Sequence, residues 1–178
     1  DYLSRLEKEP NQARLLRSVA ELLAQRGEFD RALEFYGRIL ALDGMAEPTL
    51  ERAITQTTLN RYDQQIAQLD PDAPDTEGRR AQLEAERRDY QLNRARQMAD
   101  KYSNDLQLRF ELGLLYFKNQ RWTEAIQEFQ KAQASPHKRI AALNYLGQCF
   151  TRRGIHDLAV RAFQTAIREK ETFDDEKK

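Results

Sequence analysis

The chain has 178 residues, 33% of them charged, and its 29 basic side chains balance 29 acidic ones. This balance argues against a nucleic-acid-binding protein, and the absence of any apolar run near the roughly 20 residues of a membrane span argues against membrane insertion of this segment. The single cysteine excludes an internal disulfide and leaves cytoplasmic and periplasmic locations both open. Scarce glycine and proline predict a mostly helical protein.

Residues 13–46 are predicted to form an antiparallel helix pair. Apolar residues recur there at helical spacing in two blocks, and Gly27 lies between the blocks as the turn. The blocks contain Leu16, Val19, Ala20, Leu23, Ala32 and Tyr36. We interpret this pair as the first copy of a unit that recurs near the C-terminus.

The segment 47–105 departs from this unit. Two longer helical patterns, over about 48–69 and 76–102, flank the stretch "DPDAPD" at 70–75, whose prolines disfavour helix in the preceding residue. We expect an elongated helical hairpin with its tip at 70–75. Two short, degenerate repeats with a break near "TLNRY" are the open alternative.

The second of these long helices contains six arginines at 79–96. Acidic residues are interleaved with them and Tyr90 is the only aromatic between 79 and 96, so we interpret this face as solvated rather than as a nucleic-acid site. The six are Arg79, Arg80, Arg87, Arg88, Arg94 and Arg96.

Residues 106–139 and 140–173 are two copies of one unit. When the sequence is shifted by 34 residues, six small or apolar positions coincide. The coincident pairs are Leu112 and Leu146, Gly113 and Gly147, Tyr116 and Phe150, Ala125 and Ala159, Phe129 and Phe163, and Ala132 and Ala166. Each copy is predicted to be a helix pair in which the glycine permits close helix approach, with Ala125 or Ala159 facing it.

The stretches "LGLLYFKNQRWTEAIQEFQKA" and "LGQCFTRRGIHDLAVRAFQTA" resemble the tetratricopeptide repeat, in which Leu-Gly and an aromatic precede Ala and Phe in the second helix. The resemblance implies an all-α, right-handed solenoid of antiparallel helix pairs over 1–178. It also implies that 1–12, which contains the closing Pro-Asn of the motif at Pro10 and Asn11, is the second helix of a truncated repeat, and that 174–178 begins another. We therefore expect a fragment of a longer array, with flanking repeats of the same chain as neighbours.

The only cysteine, Cys149, lies close to His156 in "GQCFTRRGIHDLA", but the repeat places both residues without any need for catalysis. The cysteine falls on the tightly packed face of a first helix, and no helix N-terminus or fixed cation is expected near it to lower its pKa. His137 and His156 lack the partner spacing of a zinc site, and no phosphate-binding glycine motif occurs. We expect no enzyme activity, no cofactor and no metal.

The resemblance also implies that the first helix of each pair lines a concave surface that binds peptides or helices. The candidate contact residues by position are Phe110, Leu114, Phe117, Lys118, Asn144, Gln148, Thr151, Arg152, Arg14, Arg17 and Glu21. The pattern does not match the clamp for chaperone carboxyl termini, because Glu21 follows Arg17 and apolar residues occupy the matching places in 106–139. We expect a scaffold or adaptor with a groove for an apolar side chain; a structural spacer or regulatory module of a larger protein is the alternative.

Overall fold

A computed structural model describes residues 11–42 and 47–175, and within these ranges the chain forms eight α-helices and no strand. The helices are α1 (Ala13–Gln25), α2 (Phe29–Leu40), α3 (Pro48–Ala67), α4 (Thr76–Lys101), α5 (Leu106–Lys118), α6 (Trp122–Ala132), α7 (Arg139–Arg152) and α8 (His156–Asp175). The helix predicted within 1–12 lies almost wholly outside the described residues, as do the last three positions of the truncated repeat predicted over 174–178. None of the described helices is both long and apolar enough to cross a bilayer.

Local sequence signals explain where several helices end. Gly27 (φ +78°) and Gly154 (φ +72°) adopt the left-handed conformation in the turns after α1 and α7, where glycine avoids the cost of a side chain. Gln120 takes the same conformation (φ +59°) in the turn after α5. Asp105 caps the start of α5, since its carboxylate accepts hydrogen bonds from the amides of Gln107 (2.9 Å) and Leu108 (3.3 Å).

The structure divides into two compact units, one ending at Gln91 and the other beginning at Leu92. In the first unit α1 packs on α2 and α2 on α3. Its core consists of the predicted apolar blocks together with α3, and the buried members are Leu15, Leu16, Val19, Ala20, Leu23, Ala32, Tyr36, Ile39 and Leu50. The single solenoid over 1–178 and its internal boundaries stay a prediction.

The second unit stacks two helix pairs, α5 on α6 and α7 on α8, with α6 packed on α7. Phe129 of α6 lies at its centre and is fully buried. The Phe129 ring stacks on that of Tyr145, with 5.1 Å between centroids, and meets that of Phe110 at 5.6 Å. Ring packing of this kind stabilises beyond simple area burial, by about 0.5–1.5 kcal/mol per pair.

The predicted close approach at the repeat glycines is confirmed. A Cβ added at Gly113 would stand 2.8 Å from a ring carbon of Phe129, and one at Gly147 would stand 2.5 Å from a ring carbon of Phe163. The aromatic ring of the second helix is therefore the nearest group to the space that each glycine leaves, and the predicted facing of Ala125 and Ala159 stays a prediction.

The segment 47–105 contains two long helices, α3 and α4. Helix α3 passes without a break through the stretch "TLNRY". The Arg87 guanidinium donates to both carboxylate oxygens of Asp63, at 2.7 and 2.9 Å, and the rings of Tyr62 and Tyr90 lie 6.3 Å apart. These contacts hold α4 against α3, while Leu83 is the buried apolar residue near the start of α4.

Candidate partner-binding surface

The first helices of the two C-terminal pairs, α5 and α7, lie side by side. Tyr145 of α7 contacts two rings of α5, with centroid distances of 5.1 Å to Phe117 and 6.0 Å to Phe110. The candidate residues on α5 and α7 therefore belong to neighbouring helices of one unit. We refer to the exposed and half-buried candidates on α5 and α7 as the first-helix face.

Phe110 is a core residue in this structure. Its side chain is only 7% exposed, because the rings of Phe129 and Tyr145 cover it and the Lys138 ammonium lies 5.3 Å from its ring centroid. Little of its surface is left for a partner. The apolar contribution of this helix to the first-helix face comes from Leu114 and Phe117, which are both half-buried.

The Phe117 ring is supported from two sides. It makes edge contacts with Trp122 of α6 at 5.2 Å and with Tyr145 of α7 at 5.1 Å. Trp122 was not among the predicted contact residues. It occupies the position that His156 takes in the next copy. A ring held in this way presents its remaining surface in a fixed orientation, which lowers the entropy cost of binding.

The polar candidates lie on the same two helices as Phe117 and Tyr145. Lys118, Asn144, Thr151 and Arg152 are exposed, and Gln148 is half-buried. The Thr151 hydroxyl donates to the carbonyl oxygen of Gly147 at 2.8 Å, so it is engaged with its own helix. Lys118 and Arg152, which occupy equivalent positions of the two copies, have no ion-pair partner within the described ranges.

Two of the predicted residues of α1, Arg14 and Arg17, line a cleft in the first unit. The cleft has a volume of about 300 Å³ and lies between α1, α2 and α3; its lining residues are Ala13, Arg14, Arg17, Ile39, Glu47 and Leu50. The Arg17 guanidinium pairs with the carboxylates of Glu21 at 3.1 Å and Glu47 at 3.8 Å. Arg14 is exposed and has no ion-pair partner in the part of the chain that the structure describes. The structure therefore brings both predicted arginines together and assigns Glu21 to an ion pair.

A buried ion pair in the second unit was not predicted. The Arg109 guanidinium contacts Glu128 at 3.3 Å and Asp100 at 3.1 Å, and the Lys131 ammonium contacts the other oxygen of Glu128 at 2.9 Å. Both Arg109 and Glu128 are buried. Nothing in the local sequence indicates that Glu128, 19 residues away, would compensate the charge of Arg109.

The predicted burial of Cys149 is confirmed. Its side chain is fully enclosed, and burial raises the pKa of the thiol to about 11, so the sulfur stays protonated and weakly nucleophilic at neutral pH. His156 is exposed at the first position of α8. Among the described residues, no three His, Cys, Asp or Glu side chains are grouped so as to hold a metal ion.

Comparison with known proteins gives a consistent result. Two tetratricopeptide repeat family models match, one over residues 15–62 and the other over 79–138, and together these ranges take in more than half of the chain. Both matches enter the segment 47–105, one at each end. No curated protein matches the sequence at a significant level.

Solved structures of similar fold agree with the family models. A crystal structure of MamA is similar over 98% of this chain and 87% of that chain, with 16% identity and a TM-score of 0.61. YrrB, which is described as a TPR protein with an unusual peptide-binding site, is similar over 96% of this chain and 92% of that chain, with 19% identity and a TM-score of 0.52. At these identities the likeness shows the fold, which is an all-α, TPR-like helical solenoid. The chain therefore belongs to the tetratricopeptide repeat family, and its repeats form a protein–protein interaction scaffold.

Proposed function

We propose that the chain is a non-enzymatic adaptor that binds an extended peptide or a helix of another protein on the first-helix face of its repeats. The observation that carries this proposal is the half-buried Phe117, supported by two neighbouring rings and accompanied on the same pair of helices by Lys118 and Arg152. A fixed apolar contact with cations near it is a common composition of a peptide-recognition groove.

The chemistry of this face favours a partner segment that is both apolar and acidic. Leu114 and Phe117 offer apolar surface that a partner side chain can remove from water. Because Lys118 and Arg152 have no acidic partner among the described residues, a carboxylate on the partner gains an attraction without breaking an existing ion pair. The cleft at Arg14 and Arg17 is a second candidate binding surface with both apolar and charged lining residues, and it lies beside the first helix of the N-terminal pair.

Two further observations support a binding role rather than catalysis. The buried thiol of Cys149 is held in its neutral form, and His156 lies exposed at the start of the next helix. In addition, the structural likeness to YrrB relates this fold to a protein described as having a peptide-binding site.

Replacing Leu114 and Phe117 together by alanine should weaken binding of a captured partner by at least tenfold, because the loss of only two buried CH₂ groups, at roughly 0.8 kcal/mol each, already exceeds the 1.4 kcal/mol that corresponds to tenfold. The partner would be isolated by affinity capture on the immobilised chain and then titrated in purified form by calorimetry. Circular dichroism would verify that the helical content of the variant is retained.

The matched control replaces Gln127 and Gln130, two exposed residues of the second helix α6, by alanine. These positions carry no predicted contact, and the control should bind as tightly as the unmodified chain. If the Leu114/Phe117 variant binds the partner as tightly as the unmodified chain does, the first-helix face is not the binding surface. Failure of the unmodified chain to bind any protein saturably would favour the spacer alternative.

A further inference from the structure

An acidic residue, Glu111, lies on the same side of α5 as Leu114 and Lys118. It precedes Leu114 by three residues and Lys118 by seven, which is the spacing of residues that share one side of an α-helix. Glu111 and Leu114 are half-buried, and Lys118 is exposed. The order along this side of α5 is therefore acidic, apolar and basic.

The Glu111 carboxylate has capacity for a further contact. Its Oε1 atom accepts a hydrogen bond from the side-chain amide of Gln107 at 2.8 Å, and that amide carries no charge. Glu111 forms no ion pair in the part of the chain that the structure describes. Because the carboxylate is already partly removed from water, a cation brought to it gains more electrostatic energy than it would at a fully solvated acid.

The opposite charges lie at different ends of this side of α5. Seven residues of α-helix put Glu111 and Lys118 about 10 Å apart along the axis, and the two do not pair with each other. Arg152 is the last residue of α7, as Lys118 is of α5, and it adds a second exposed cation. On α7 the position equivalent to Glu111 is the aromatic Tyr145, so the acidic end belongs to α5 alone within this pair of helices.

We propose that the segment bound on the first-helix face carries a cation and a carboxylate three residues apart, with an apolar residue between them; this rests on the proposed function. The cation pairs with Glu111, and the carboxylate lies near Lys118. The apolar side chain contacts Leu114 and Phe117 between the two charges. An extended chain advances about 3.3 Å per residue, so three residues span the roughly 10 Å of α5 that separates the charges. Charge complementarity of this kind contributes mostly to specificity and register.

The test uses nine synthetic peptides with a central leucine between two variable positions that are three residues apart. Each variable position is lysine, aspartate or serine, and the remaining positions are glycine or serine. Binding of each labelled peptide to the chain would be measured by fluorescence anisotropy at low salt. We expect the tightest binder to be one of the two peptides that combine lysine with aspartate, by about fivefold over the aspartate/aspartate peptide.

Two substitutions of Glu111 assign the effect to this residue. Glu111→Gln keeps the size of the side chain and should remove the preference for lysine, and Glu111→Lys should make the aspartate/aspartate peptide the tightest binder. Glu171→Gln, at an exposed position of α8, is the matched control and should keep the preference of the unmodified chain. Circular dichroism would verify that each variant retains its helical content.

The outcomes separate the charge order of the ligand from the binding surface itself. Tightest binding of the aspartate/aspartate peptide by the unmodified chain, or a lysine preference that Glu111→Gln retains, would overturn the charge order and leave the first-helix face in place. Absence of measurable binding by all nine peptides would also overturn the charge order, since two of them contain every proposed element. Peptide binding that the Leu114/Phe117 double variant leaves unchanged would instead contradict the proposed function.

Discussion

Replacing Arg109 by leucine should lower the free energy of unfolding by about 3 kcal/mol, although leucine is the residue that the next copy carries at this place. The substitution leaves the Glu128 carboxylate buried without its guanidinium partner. Removal of one member of a buried ion pair typically costs about 3–5 kcal/mol. We expect the lower end of that range because the Lys131 ammonium still contacts Glu128.

The second copy of the unit supplies the compensating change. Its residues equivalent to Arg109 and Glu128 are Leu143 and Ala162, which form an apolar pair in the same core. The double variant Arg109→Leu with Glu128→Ala should therefore regain most of the lost stability, since replacing both members of a buried pair by apolar residues is often nearly neutral. Urea denaturation of both single variants, the double variant and the unmodified chain completes a double-mutant cycle.

A surface pair serves as the control for this cycle. Arg139 and Glu169 approach to 2.8 Å, but both side chains are partly exposed to solvent, so Arg139→Leu should change the free energy of unfolding by less than about 1 kcal/mol. A cost for Arg109→Leu as small as that for Arg139→Leu would contradict the assignment of a buried, mutually dependent pair. Strictly additive losses in the double variant would contradict it equally.

The second large effect is expected at the repeat glycines. Gly113→Ala should destabilise the chain by about 2 kcal/mol, because the new Cβ stands 2.8 Å from a ring carbon of Phe129 and that ring is held by Phe110 and Tyr145 on other sides. Gly147→Ala should cost less, even though its Cβ comes within 2.5 Å of Phe163, because the Phe163 ring is only partly buried and has room to shift.

Gly37 is the matched control for both substitutions. It also lies inside a helix, but a Cβ added there meets no atom within 4 Å, so Gly37→Ala should stabilise the chain by about 0.5–1 kcal/mol through the better helix propensity of alanine. Thermal denaturation of the three variants tests the order. If Gly147→Ala destabilises the chain more than Gly113→Ala does, the freedom of the facing phenylalanine ring to shift does not determine the loss of stability.

Much of the fold was predictable because helical repeats are specified by local patterns. The 34-residue shift located both C-terminal helix pairs, and Gly27 marked the turn between α1 and α2. The close approach at Gly113 and Gly147 also followed from the cost of glycine inside a helix. The ring nearest each glycine was not predicted, because helical periodicity gives the side of a helix on which a residue lies and not the reach of a long aromatic side chain from the next helix.

The surface was less predictable for a related reason. Phe110, Leu114 and Phe117 share one side of α5, but the covering of Phe110 and Phe117 depends on Tyr145, which is far away in the sequence. The compensation of Arg109 by Glu128 is likewise a tertiary contact, across 19 residues. Local sequence patterns carry no direct signal for such contacts, so the burial of Phe110 and the buried ion pair became visible only in three dimensions.

The most direct measurement of the central claim, partner binding on the first-helix face, is site-specific photo-crosslinking with a benzophenone amino acid placed singly at Lys118, Arg152 or Gln130. The first two positions lie on α5 and α7, and Gln130 lies exposed on the second helix α6. Binding on the first-helix face predicts that irradiation links one and the same partner protein to positions 118 and 152 and leaves position 130 unlinked. Crosslinks from position 130 alone, with none from 118 or 152, would contradict it.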